Sequence, residues 1–314
     1  MEAAYDDVLD VILSLLPYPS SVHARLVCRR WLVLLSRHDE KLPPGVFNQF
    51  SRYRPNFPLW LVEEAQYHTP DFSRQWKTSM EWNPSVTLSM RRVLVLWLME
   101  VVVKFRGCTD SLFKTVQLVD DHLAKSGTVR RNTFQTLGVA SLFWCYRSPL
   151  GERKPLTDLA YITAGSSSVE GIQKWIQHLE ERAEALVNTP RTCNFIYPLA
   201  LAGELYDNES WPVAMYFAHV SLLNAKAVQT KPSVVAAACV GLARIAQEPP
   251  LPFWSERLAC VARCQESEAR EAADHMRGTL RLCREVPHKY RAWSLGEQPT
   301  EQEVLQRLER AGYM

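Results

Sequence analysis

Residues 90–105 read MRRVLVLWLMEVVVKF. From Val93 to Val103 every side chain except Glu100 is apolar, and Arg91 and Arg92 stand at the front of the run. A helix that crosses a membrane needs about 20 apolar residues, so this stretch is too short, and it carries a charge inside it. A helix that is apolar nearly all round belongs in the interior of a larger folded domain. The arginines then become informative, because a guanidinium drawn into a core needs a partner.

The rest of the chain agrees with a packed interior. Its 314 residues leave room for two domains of ordinary size, and 47% hydrophobic against 22% charged residues reads as globular. Apolar residues recur at helical spacing and β-type alternation is scarce, which predicts an all-α protein. The net charge of +2 gives no whole-chain reason to expect nucleic acid or a membrane as partner. With 12 glycines and neither GxGxxG nor GxxxxGK, phosphate-cradling loops are not expected. The eight cysteines fall in stretches such as AAACVGLA and LFWCY and read as small core residues in a reducing compartment. Cys260 and Cys264 could face one side of a helix, but no second Cys or His pair follows at zinc spacing, so two core thiols are expected and no metal. No Ser/His/Asp or Cys/His arrangement is recognisable, so neither catalysis nor a cofactor is expected. The acidic start, MEAAYDDVLD, is not that of a secretory signal.

Helical segments follow one another along the chain. Val8, Ile12 and Leu15 repeat at helical spacing, Pro17-Tyr18-Pro19 breaks that helix, and Ser20 and Ser21 can cap the next, which carries Val22, Leu26, Val27 and Trp31. Prolines 43, 44, 55 and 58 mark a connector, with a brief amphipathic helix from Leu59. LFKTVQLVDDHLAKS, RRNTFQTLGVASLFWCYRS and EGIQKWIQHLEERAEALV read as helices, the last with Ile172, Trp175, Ile176 and Leu179 on one stripe. After Thr189-Pro190 a second helical set of similar size suggests a duplicated five-helix unit. Thr300 and Glu303 are spaced as a capping box before a last short helix.

The opening stretch resembles the signature of the cyclin box. The resemblance runs on in register through LFKTVQLVDDHLA, VRRNTFQTLGVASLFWCYR and DLAYITAGSSSVEGIQKWI, then through AMYFAHVSLLNAK and KPSVVAAACVGLA to VPHKYRAWS. It implies that Arg91 pairs with Asp120, tying the first helix to the second. It also implies a docking patch for short Arg-x-Leu peptides, formed in cell-cycle cyclins by one face of the first helix. The matching positions are Met90, Val93, Leu94, Trp97, Glu100, Phe134 and Gln135. An apolar groove suits the peptide Leu, Glu100 suits its Arg, and the Gln135 amide suits its backbone. The bland reading of the same residues is core packing. The kinase-gripping Lys and Glu of the family fall here on Arg147 and Ile176, and the acidic pair after the Lys on Pro149 and Leu150, so kinase activation is not expected.

Ahead of the box, DDVLDVILSLLPYPSSVHARLVCRRWLVLLSR resembles an F-box, with Val27, Cys28, Arg29, Arg30 and Trp31 matching its V-C-R-x-W end and Tyr5-Asp6-Asp7 in place of the usual opening Leu-Pro. An F-box before a cyclin box is the order of the cyclin F family, although this chain is shorter, as a divergent, reduced or viral relative would be. The implied organisation is an F-box at 1–42, a connector at 43–85, an N-terminal cyclin box at 86–188, a C-terminal cyclin fold at 189–290 and a tail at 291–314. The fold class expected is all-α, with F-box helices followed by two tandem five-helix cyclin folds. The implied function is that of a non-catalytic substrate-recognition subunit of an SCF-type ubiquitin ligase linked to cell-cycle control, residing in nucleus and cytoplasm. Val8, Leu9, Ile12, Leu15, Leu16, Pro17, Val22, Val27 and Trp31 would meet the Skp-family adaptor that joins it to the cullin. The rival expectation is a cyclin subunit that binds and activates a cyclin-dependent kinase. A third is a transcription-associated cyclin-fold scaffold, against which the absence of a strong basic surplus counts.

Overall fold

The computed structural model describes residue 64 and residues 86–126, 129–146, 153–186, 189–205, 210–282 and 301–313. Their regular structure is helical, with no strand among them. The expected F-box helices, the connector prolines, the cap at Thr300 and the closing VPHKYRAWS stretch lie outside the described residues.

Five helices form the first fold: α1 Leu88–Lys104, α2 Thr109–Ser126, α3 Phe134–Cys145, α4 Leu156–Ile162 and α5 Val169–Leu186. The hydroxyl of Thr87 caps α1 by accepting from the Met90 N–H at 3.2 Å. Helix α3 is the central member, packed on α1, α2 and α5. Its Gly138 lets α1 come close: a Cβ there would stand 2.9 Å from Leu94 Cδ1. The stripe expected in α5 turns inward at Ile172, Ile176 and Leu179, and Trp144 Nε1 of α3 donates to the Ile176 carbonyl at 2.9 Å.

The second fold repeats the plan with α6 Thr192–Ala202, α7 Ser210–Ser221, α9 Pro232–Ile245, α10 Glu256–Ala262 and α11 Glu266–Leu282, plus the single turn α8 Ala225–Gln229. Here α9 is central and is buried at every position from Ser233 to Ile245. Pro232 opens it at a position whose N–H has no helical acceptor in any case. Two glycines permit its tight packing: a Cβ on Gly203 would stand 2.5 Å from Val240 Cγ1, and one on Gly241 2.5 Å from Phe253 Cε2. A last helix, α12 Glu301–Arg310, packs on α9.

The cysteines differ from expectation. Cys239 is buried, but Cys108 and Cys260 are exposed and Cys145, Cys193 and Cys264 only partly covered. Helix α10 turns Leu258 and Ala262 inward, which points Cys260 to the opposite side. The helix then stops at Arg263, which adopts the left-handed conformation with φ 56°, so Cys264 lies beyond it and shares no face with Cys260. Among the described residues no group of three or more His, Cys, Asp or Glu side chains could hold a metal ion. None of the described helices is long and apolar enough to cross a membrane.

Candidate functional site: the outer face of the first helix

Helix α1 divides its residues between two tasks. Arg91, Leu94, Val95, Leu98, Met99, Val101 and Val102 are buried. Arg91 reaches Asp120 of α2 through two contacts of 2.6 Å, Nε to Oδ1 and Nη2 to Oδ2, and its Nη1 donates to the Leu222 carbonyl at 2.9 Å. Both side chains are at most 1% exposed. This parallel two-bond arrangement fixes direction as well as distance. Because Leu222 follows α7, the same guanidinium also ties the first fold to the second. Burial pushes the Asp120 carboxyl above its ordinary pKa and the guanidinium works against that rise.

A second arginine holds the same junction. Arg191, between the folds, donates from Nε to Asp110 at 3.0 Å and from Nη1 to Gln117 at 3.3 Å, both on α2. The Phe113 ring of α2 and the His219 ring of α7 lie 5.5 Å apart across the junction. His219 is buried, and this pushes its pKa down to about 4. The equivalent helix of the first fold also carries a histidine, His122, whose ring meets Trp175 and His178 at 5.3 Å each and whose pKa burial likewise lowers to about 4.

The other task of α1 faces outward. Val93 is 66% exposed, Leu88 45%, and Met90, Trp97 and Glu100 are partly open. The positions marked by the cyclin resemblance therefore separate into layers. Met90, Val93, Trp97 and Glu100 form one outward stripe at helical spacing, while Leu94 and Phe134 are buried beneath, Leu94 against Gly138. Gln135, at the start of α3, is partly open, and its Oε1 accepts from the Ser166 hydroxyl at 2.8 Å.

Two further residues carry no spacing signal of their own. Tyr161 of α4 is 81% exposed, and Ser166 belongs to the loop before α5. The run TAGSSS, small residues around one glycine, is the trace that the loop leaves in the sequence. Of the positions that match the family's kinase-gripping residues, Ile176 is buried in α5, whereas Arg147 lies outside the described residues, as do Pro149, Leu150 and all nine positions from Val8 to Trp31 expected to meet the adaptor.

Comparison with known proteins agrees with this architecture. Family models match the F-box domain at residues 6–42, the cyclin N-terminal domain at 61–181 and the cyclin C-terminal domain at 190–296. Among similar curated proteins, S-phase entry cyclin-6 of Saccharomyces cerevisiae is 31% identical over 156 residues, 50% of this chain and 40% of its own length. Cyclin-A3-1 of Oryza sativa subsp. japonica is 27% identical over 59% of this chain and 51% of its own. G2/mitotic-specific cyclin-4 of Candida albicans is 25% identical over 76% of this chain and 47% of its own. The chain thus spans about half the length of these relatives or less. Among solved structures, a viral cyclin from Herpesvirus saimiri superposes with a TM-score of 0.57 at 16% identity, covering 71% of this chain and 97% of that one. That likeness speaks for the fold. The chain is an F-box and cyclin-box protein, an F-box domain followed by the two domains of a cyclin.

Proposed function

We propose that this chain is the substrate-receptor subunit of an SCF-type ubiquitin ligase acting in cell-cycle control in nucleus and cytoplasm. The observation that carries the reading is the order of its parts. An F-box domain at 6–42 precedes a cyclin fold whose first helix turns Met90, Val93 and Trp97 outward with Glu100 beside them. The F-box holds a Skp-family adaptor and through it the cullin, with Leu16 and Trp31 among the contacts. The outer face of α1 holds Arg-x-Leu segments of substrates, the Leu on the apolar stripe and the Arg at Glu100. No residue of this chain makes or breaks a bond. It works by holding a substrate lysine near a ubiquitin-charged enzyme, so that a bimolecular encounter becomes local. The S-phase and mitotic names of its relatives support the cell-cycle part.

Two measurements on the full chain test the two halves separately. Co-expressed with a Skp-family adaptor, the wild type is expected to elute as a complex, and Leu16→Asp, which puts a charge into a helix–helix contact, to elute alone. Persistence of the complex with both Leu16→Asp and Trp31→Asp would remove the adaptor assignment. A labelled Arg-x-Leu peptide is expected to bind wild type and to lose at least tenfold in affinity to Met90→Ala with Trp97→Ala, the helical circular dichroism being unchanged.

The cyclin relatives favour one other reading, a regulatory subunit of a cyclin-dependent kinase. On it, the residue that grips the kinase would be Ile176, which is buried and offers no carboxylate. Strong kinase activation by the purified chain would move the assignment to that reading.

A further inference from the structure

The link between α9 and α10 carries the run EPPLPFW at residues 248–254. One proline beyond Ile245 is enough to end α9, yet prolines stand at 249, 250 and 252. A proline has its φ fixed at about −65°, and a residue ahead of a proline is driven to extended backbone. Pro249 and Leu251 each precede a proline, which favours the polyproline II conformation with its three residues per turn. Residues 250–252 run on without a turn or bend. The Glu248–Pro249 bond is cis and the bonds from Pro249 to Pro252 are trans. On a polyproline II helix Pro249 and Pro252 share one edge, Pro250 takes the second and Leu251 the third. Burial follows that division: the three prolines are exposed, Leu251 is half-buried and Phe253 is buried.

The run is held from beneath. The Leu251 N–H donates to the Arg244 carbonyl at 3.0 Å, and Arg244 Nε donates to the Pro252 carbonyl at 2.8 Å. One buried residue of α9 thus grips two successive positions. The Phe253 ring stacks on Tyr313 with centroids 5.9 Å apart, and the Arg270 guanidinium lies 4.5 Å from its centroid. At the other end, Arg307 of α12 meets Glu248 at 3.0 Å. A proline has no N–H, and the N–H of Leu251 is turned inward, so the outer side of residues 249–252 offers pyrrolidine rings and backbone carbonyls but no backbone donor. A groove lined with Trp and Tyr suits that surface: its rings pack on the prolines, and an indole N–H or phenol O–H donates to a carbonyl.

We propose that this ridge, Pro249, Pro250 and Pro252, is a docking site for a proline-recognising domain, a partner whose groove is lined with aromatic side chains. The second cyclin fold presents the ridge already ordered, so little conformational freedom is lost when the partner binds. The inference stands apart from the adaptor and Arg-x-Leu readings above and uses none of their residues.

The test takes the full chain against an array of purified WW, SH3 and EVH1 domains. At least one domain is expected to bind the wild type and to lose about tenfold or more in affinity to Pro250→Ala with Pro252→Ala. The melting temperature should hold, because both rings are exposed and alanine keeps the carbonyl that Arg244 grips. A synthetic peptide of residues 247–254 should displace the full chain from that domain, at roughly tenfold higher concentration because it must be ordered on binding. The same peptide with both substitutions should not displace it, a comparison that holds even where the substituted chain unfolds. The proposal is overturned if no domain of the array binds the wild type, if binding survives the double substitution, or if the two peptides displace equally.

Discussion

The opening helices of the two cyclin folds occupy equivalent places and meet different surroundings. Helix α6 buries Phe195, Ile196, Leu199 and Leu201 because α7 and α9 of its own fold, and α2 of the first, lie against it. Helix α1 carries an unbroken apolar run from Val93 to Met99, yet Val93 stands 66% exposed and Leu88 45%. With Tyr161, these are the large apolar side chains most open to solvent among the described residues, and all three belong to the first fold. Stacking one repeat on another covers the second opening helix and leaves the outer face of the first available. The duplicated fold thereby keeps one apolar face open rather than two.

The two buried arginines sharpen the contrast. Arg91 relies on a carboxylate as deeply buried as itself. Arg244 of α9, 2% exposed, donates to the carbonyls of Gly203 and Pro252 and meets Glu204, which is 35% exposed. Removing the acid should therefore cost very different amounts. Asp120→Ala leaves a buried charge without its counter-ion and is expected to lower unfolding free energy by roughly 3 kcal/mol. Glu204→Ala leaves Arg244 its carbonyls and should cost less than about 1 kcal/mol. Chemical denaturation of both variants checks this, and similar losses would erase the distinction.

Acid should act on the junction between the folds. The folded-state pKa of His219, about 4, lies below its ordinary 6.5, so between these values the unfolded chain binds the extra proton. Stability contributed by the neutral ring is complete above pH 6.5 and is lost as pH falls towards 4. The loss attributable to this one group is about 3 kcal/mol. His219→Phe, which keeps a ring against Phe113, should flatten that part of the stability–pH curve. An unchanged curve would show that folding does not lower the pKa of this ring.

The central helices differ on a smaller scale. Gly241→Ala drives a Cβ against the Phe253 ring, with Cε2 and Cζ at 2.5 and 2.6 Å, and a ring wedged beside α9 has little room to withdraw. A loss of about 2 kcal/mol is expected. Gly138→Ala meets Leu94 Cδ1 at 2.9 Å, the end of a flexible side chain, and the gain in helix propensity offsets part of the strain. Its net cost should stay below about 1 kcal/mol. Melting temperatures of the pair check the order, and the reverse order would contradict the packing described for α9.

Much of this was readable from the residues. The helical periodicity, the break at Thr189-Pro190 and the cyclin resemblance around MRRVLVLWLMEVVVKF lead to tandem five-helix folds, because apolar spacing and family pattern both follow what a helix buries. What spacing does not carry is which side of an all-apolar helix stays uncovered. Val93 and Leu94 are adjacent and equally greasy, and only the approach of α3 at Gly138 decides that Leu94 goes under. The cysteines mislead for a related reason: Cys260 sits in an apolar string, but a seven-residue helix with Leu258 and Ala262 inward has no room to bury it too. The Ser166–Gln135 bond joins residues 31 apart and depends on a left-handed turn at Ala164, which no local pattern announces.

The central claim is that two recognition surfaces on one chain serve a ubiquitin ligase. Its most direct test is affinity purification of the full chain from dividing cells, with mass spectrometry of the bound proteins, beside Leu16→Asp and beside Met90→Ala with Trp97→Ala. The account predicts adaptor and cullin on the wild type and on the α1 variant, lost from Leu16→Asp, with a separate set of proteins lost only from the α1 variant. A cyclin-dependent kinase at equal stoichiometry, with no adaptor on any of the three, would contradict it.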